Sequence, residues 1–122
     1  MPSQATLERF IASVESNAHA KAIEDFYTEN SSMQENQSAP RVGRQANVAR
    51  EQAVLDRMQS VASRCVRPVF AHGDHVAIRW VFDFVNLQGQ TMRIEEMAWQ
   101  RWEGEKIAEE TFFYDPKQMQ PS

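Results

Sequence analysis

Val76-Ala77-Ile78-Arg79-Trp80-Val81-Phe82-Asp83-Phe84-Val85-Asn86 is the stretch that decides the architecture. Its even positions, Val76, Ile78, Trp80, Phe82 and Phe84, make one wholly apolar face. Its odd positions mix Ala77, Val81 and Val85 with Arg79 and Asp83. Successive strand residues point to opposite sides of a sheet, so this segment is a strand with one face on a core. Around it the chain is rich in Val, Ile, Phe and Trp and is punctuated by Gly73, Gly89 and Gly104. Further strands are expected at residues 64–71, 91–102 and 106–114. The connections His72-Gly73-Asp74-His75, Leu87-Gln88-Gly89-Gln90 and Glu103-Gly104-Glu105 are short, which predicts an antiparallel meander.

The first half has a different period. Leu7, Phe10, Ile11 and Val14 recur at i, i+3, i+4 and i+7, the apolar stripe of a helix. Asn17 is the candidate cap of a second short helix that turns Ile23, Phe26 and Tyr27 inward. A polar stretch follows, with a short strand expected at 31–35, and Ser38-Ala39-Pro40-Arg41-Val42-Gly43 reads as loop. A third helix is expected over 44–62, with an inward stripe of Val48, Leu55, Met58 and Ala62. Helices first and strands afterwards predict an α+β domain, three N-terminal helices packed on one face of a mainly antiparallel sheet. The domain is expected to occupy residues 1–115, with 116–122 as a loose tail.

Composition narrows the function. The chain has 122 residues, 13 Lys+Arg against 17 Asp+Glu and a net charge of −4, which suits one core and argues against a general nucleic-acid binder. No apolar run approaches a membrane span, and MPSQATLERF has no signal-peptide core. Cys65 is the sole cysteine, so a reducing cytoplasm is the expected location. No phosphate loop or dinucleotide fingerprint is present, and no cofactor or metal is expected. His72 and His75 read as a plain turn, His19 as solvent-facing and Cys65 as a buried strand thiol.

The order and spacing of Phe26-Tyr27, Gly43-Arg44 and the hairpin from Trp102-Glu103-Gly104-Glu105-Lys106-Ile107 to Phe112-Phe113-Tyr114-Asp115-Pro116 resemble the SnoaL-like or NTF2-like superfamily, the ketosteroid-isomerase-like fold. That resemblance covers nearly the whole chain. It implies a sheet wrapped around a conical pocket, in a group that includes isomerases, epoxide hydrolases, polyketide cyclases, dehydratases and non-catalytic transport or assembly proteins. It also implies sheets that pair back to back. Gln34-Glu35-Asn36 before Ser38-Ala39-Pro40-Arg41-Val42-Gly43-Arg44 is similar to the ketosteroid isomerase segment in which an Asp base precedes a Ser-Glu-Pro-Arg-Ser-Gly-Arg loop. With a one-residue gap Glu35 falls at that base. Phe10 and Ile11 stand in the region of the isomerase's helical tyrosine, and Glu96 lies close to its protonated Asp.

The candidate chemistry rests on carboxylates placed among apolar side chains. Glu51 sits on the third helix's inward stripe, so it either meets a partner such as Arg79 or holds its proton tightly. Glu96 and Glu110 share the cavity wall with Gln100, Trp102, Phe112 and Tyr114 if the last turn is a three-residue loop or closes with a bulge at Gly104. A two-residue turn sets Met97 and Trp99 beside Glu110 instead. Side by side in a dry cleft, two carboxylates keep one proton between them and furnish an acid and a base. Glu35, Glu96 and Glu110 are therefore the candidate catalytic residues. Tyr27, Glu51, Trp80, Gln100, Trp102, Phe112 and Tyr114 are the candidate ligand contacts. The expected ligand is a small hydrophobic molecule, handled by isomerase, cyclase or hydrolase chemistry or simply bound. The outer face of 76–86 predicts a homodimer.

Overall fold

The computed structural model describes residues 1–120. Helices α1 (Gln4–Glu15) and α2 (His19–Phe26) are followed by strands β1 (Tyr27–Glu35) and β2 (Arg41–Val42) and helix α3 (Arg44–Asp56). Strands β3 (Met58–His72), β4 (His75–Asn86), β5 (Thr91–Glu103) and β6 (Lys106–Phe113) then lead to a short 3-10 turn, Pro116–Met119. The six strands form one sheet in the order β2-β1-β6-β5-β4-β3. All neighbours run antiparallel except β1 and β6, which are parallel. This is the expected α+β architecture, with a mixed sheet that does not close. Among the described residues no helix is long and apolar enough to cross a membrane.

The apolar face of β4 carries the core. Val76, Ile78, Trp80, Phe82 and Phe84 are all buried, and α1 meets them with Leu7, Phe10, Ile11 and Val14. Ser3 caps α1 by accepting a hydrogen bond from the Thr6 amide at 3.1 Å. The Phe10 ring makes edge contacts with Phe26, Tyr27, Trp80 and Trp102 at centroid distances of 5.6 to 6.5 Å. Edge-to-face packing suits the ring quadrupole and adds to the area buried.

Several boundaries differ from the sequence reading. Asn17 does not cap α2: its backbone is left-handed, φ 72°, and it follows the C-terminal cap of α1, while Ala18 precedes α2 without a side-chain bond. Helix α3 stops at Asp56, and Met58 to Ala62, expected as its last turn, belong to β3. The reason is pairing. Val61 lies opposite Phe84 and Ala62 opposite Asp83, and a strand partner overrides weak helical propensity. Strand β1 begins four residues earlier than expected, at Tyr27. The segment expected as a loose tail opens with the 3-10 turn. There Gln118 accepts from the Glu95 amide at 2.6 Å and donates to the Glu95 carbonyl at 3.3 Å. The amide side chain thus substitutes for the strand neighbour that β5 lacks once β6 has ended.

The last hairpin resolves the register question in a way neither alternative described. The turn is the two-residue type, with Glu103 opposite Lys106 and Gly104 at φ 60°. Trp102 pairs with Ile107 but Arg101 pairs with Glu109, so Ala108 is an extra residue in β6. Ile107 and Ala108 are consecutively buried, the signature of a β-bulge. The bulge reverses the parity set by the turn, and Gln100 and Ala98 face Glu110 and Phe112.

Ile78 is 0% exposed at the centre of β4. Ile78→Ala is expected to cost about 2–5 kcal/mol, measured by urea unfolding followed through tryptophan fluorescence.

Candidate functional site

Between the helices and the inner sheet face lies a cavity of about 170 Å³. That is smaller than a drug-sized pocket of about 300–1,000 Å³ and comparable to the cavity of about 150 Å³ that takes up benzene. Trp80, Phe82, Phe84 and Phe112 wall it, and four carboxylates, Glu35, Glu51, Glu96 and Glu110, face it. Tyr27 and Tyr114 line it as well. Gln100 and Trp102 are completely buried behind the lining and do not reach it.

Glu110 projects inward from β6 because of the bulge, and it is 2% exposed. Tyr27, at the α2–β1 junction, donates its phenol hydrogen to Glu110 Oε1. Gln100 Nε2 donates to Oε2 at 2.7 Å, and Trp102 Nε1 donates to Gln100 Oε1 at 3.0 Å. These donors favour the charged carboxylate, and burial opposes it. Burial prevails, helped by the charges of Glu51 and Glu35, and Glu110 is pushed up to about 7. The Tyr27 phenol is pushed well above its ordinary value by burial and by Glu110.

Glu96 has a different environment. It faces the cavity from β5, opposite Trp80 on β4, and among the described residues its carboxyl has no hydrogen-bond partner. Burial, followed by repulsion from Glu110, Glu51 and Glu35, pushes it up to about 8. Glu96 and Glu110 share the cavity but are not side by side. Glu110 lies opposite Gln100, four positions along β5 from Glu96.

Glu35 lies at the end of β1. Burial on its own would raise its pKa, but Arg41 engages both carboxylate oxygens, Nη2 at 2.8 Å from Oε1 and Nη1 on Oε2. Arg50 stands 3.6 Å away. The two guanidinium groups prevail and hold the carboxyl below its ordinary range. Asn47, the one buried residue of α3, accepts from Arg41 Nε at 3.3 Å and donates to the Arg41 carbonyl at 3.0 Å, which orients that arginine.

Glu51 meets His19, not Arg79. Its Oε1 is 3.3 Å from His19 Nδ1, while Arg79 faces Glu95. His19, expected in solvent, is 8% exposed and lines the cavity. It was legible after all: His19, Ala22, Ile23 and Phe26 follow one another at i, i+3, i+4 and i+7, the spacing of an inward stripe. Arg41 and Arg50 are further charged lining residues missed by sequence reasoning, along with apolar ones such as Met33, Val54, Met92 and Ile94. Among the described residues no group of three or more His, Cys, Asp or Glu side chains is placed to hold a metal ion.

Both raised acids keep protons that an unfolded chain releases near 4.5. Their contribution to stability is therefore full below that value and is lost as pH rises through about 7 and about 8. Glu35 works in the opposite sense, at low pH. Replacing Glu96 by Gln is expected to flatten the decline of Tm between about pH 5 and 9, measured by thermal melts in matched buffers.

The comparisons agree with the fold. The profile of the SnoaL-like domain matches residues 7–110. A Mesorhizobium loti protein provisionally described as a SnoaL-like polyketide cyclase superposes with a TM-score of 0.76 at 19% identity, over 93% of this chain and 100% of that one. A Catenulispora acidiphila protein with a ketosteroid isomerase-like fold, in complex with trimethylamine, gives 0.77 at 15% identity over 97% and 90%. An LEH-like epoxide hydrolase of Mycobacterium tuberculosis gives 0.75 at 10% identity over 94% and 84%. At these identities the likeness is one of fold. None of the curated proteins matches the sequence.

Proposed function

The chain belongs to the SnoaL-like domain family, and from that premise we propose that its cavity performs cofactor-independent proton-transfer chemistry on a small, largely apolar molecule bearing one oxygen function. The observation that carries the reading is Glu96: a carboxyl without a hydrogen-bond partner among the described residues, facing a cavity walled largely by apolar side chains and pushed up to about 8. At neutral pH it holds a proton. A ligand carbonyl or epoxide oxygen beside it takes that proton as charge develops, and the carboxylate left behind is costly in the dry cavity, so the proton returns readily. Isomerisation, ring closure and epoxide opening all begin with such a step.

The other acids have different parts in this reading. Glu110, with both oxygens occupied by Tyr27 and Gln100, exchanges protons with a ligand through the Tyr27 hydroxyl. Glu35, paired with Arg41, sets the charge of the cavity wall and carries no proton. The neighbours described as a polyketide cyclase and an epoxide hydrolase support the reaction class, and the buried lone Cys65 suits work in a reducing cytoplasm.

Two small probes test this. 3-Cyclohexen-1-one, followed by the ultraviolet absorbance of its conjugated isomer, and styrene oxide, followed by diol formation, suit a cavity of this size. Turnover of at least one is expected, with Glu96→Gln lowering kcat/KM by about 10²–10⁴-fold. Turnover of neither by the wild type, or turnover indifferent to Glu96→Gln, overturns the reading.

A second proposal concerns assembly. On the outer sheet face Phe70, Ala77 and Trp99 are register partners in one row, and Met97 pairs with Phe113 in the next. Trp99 is 48% and Phe113 44% exposed. This apolar band lies beside the Arg79–Glu95 and Arg93–Asp83 pairs, so a second copy brings both apolar area and charges of either sign to the contact. Sedimentation velocity at micromolar concentration is expected to show a dimer that Trp99→Glu dissociates.

A further inference from the structure

The cavity has a second proton-handling device that the acid Glu96 does not use. His19 Nε2 lies 2.7 Å from Ser63 Oγ, and Ser63 Oγ donates its own hydrogen to Asn17 Oδ1 at 2.8 Å. A hydroxyl has one hydrogen, so Ser63 accepts from His19, and the proton on Nε2 is fixed there. Nδ1 therefore faces Glu51 Oε1, 3.3 Å away. Two bare lone pairs facing each other at that distance in a half-dry wall repel, so the pair shares one proton. Phe82 packs edge-on against the imidazole at 5.1 Å and holds the ring plane. The left-handed Asn17 presents its amide to Ser63 from the turn between α1 and α2. Glu51 Oε2 has no protein partner among the described residues, and both Glu51 and His19 line the cavity.

We propose that Glu51 is the general base of this site and His19 its positioning residue, the imidazole anchored by Ser63 and Asn17. This rests on the reading of the cavity as a proton-transfer site and supplies the base which that reading leaves unassigned. Glu51 Oε2 takes a proton from an acidic C–H or from a water on the ligand, and the electron pair of the broken bond stays with the ligand or the attacking oxygen. The proton shared with Nδ1 engages Oε1 and orients the free oxygen. The bound molecule then has Glu96 at its oxygen and Glu51 at the atom that loses the proton. The substrate class is a compact molecule, about one ring in size, with an acidic C–H or an electrophilic carbon close to an oxygen function.

5-Nitrobenzisoxazole reports on a base directly. Loss of its C3 proton to the base forms the nitrile as the N–O bond breaks, and the electron pair leaves on oxygen as a coloured phenolate. The wild type is expected to exceed the rate in acetate buffer. Glu51→Gln is expected to lose about 10²-fold or more in kcat/KM, and His19→Gln, whose amide still reaches Ser63, about tenfold. A readout independent of turnover is the ¹⁵N spectrum of the His19 ring. A protonated Nε2 and a proton-sharing Nδ1 are expected in the wild type, with Nδ1 reverting to a plain acceptor in Glu51→Gln. Full activity in Glu51→Gln with loss in Glu96→Gln or Glu110→Gln overturns this inference and leaves the acid reading standing. A wild type no better than acetate also overturns this inference, while the acid reading stands or falls with the two probes above; a neutral ring protonated only at Nδ1 overturns the anchoring of His19 by Ser63.

Discussion

An apolar sheet face cannot be left in water, and the inner face of β4 and β5 is longer than the two N-terminal helices can cover. Helix α1 seals one end, where Phe10 is wedged among Phe26, Tyr27, Trp80 and Trp102. Helix α3 buries only Asn47 and leans over the other end without filling it. The hollow between is the cavity, and the carboxylates that face it have lost much of their water. Fold and site are in this sense consequences of one mismatch between the area of the sheet and the reach of the helices.

Desolvation then sorts three chemically identical side chains, Glu35, Glu110 and Glu96, into three states. Glu35 is compensated by a guanidinium fork and stays ionised. Glu51, beside them, meets an imidazole at 3.3 Å. Glu110 is compensated by neutral donors, a phenol and an amide, which only partly offset burial. Glu96 is compensated by nothing and keeps its proton furthest up the pH scale. Partner chemistry, more than depth, sets the order, because a formal positive charge repays desolvation in a way that a neutral dipole does not. A cavity that holds an acid and a base at once requires such a division of labour.

Much of this was legible in the residues. The alternation of 76–86 and the heptad-like stripe of Leu7, Phe10, Ile11 and Val14 specify element types because burial enforces period. Glu96 and Glu110 were visible as charges in apolar rows, with the direction of Glu110 left to the register of the last hairpin. The end of α3 was not legible, since Met58 to Ala62 suits either helix or strand until β4 is present to pair with it. Nor was the partner of Glu51, because His19 and Glu51 are 32 positions apart and only the packing of α2 against α3 brings them together.

Sequence by itself determined the class of fold, the apolar lining and the presence of acids within it, all of which follow from local periodicity and the cost of exposing apolar area. Tertiary structure alone decided which way Glu110 points and what each acid meets. The two-residue turn at Gly104-Glu105 would have aimed Glu110 at solvent, and the extra residue at Ala108 turns it back. A strand's side chains alternate with period two, so a single unpaired residue inverts everything beyond it, and nothing local to the turn announces that it is there.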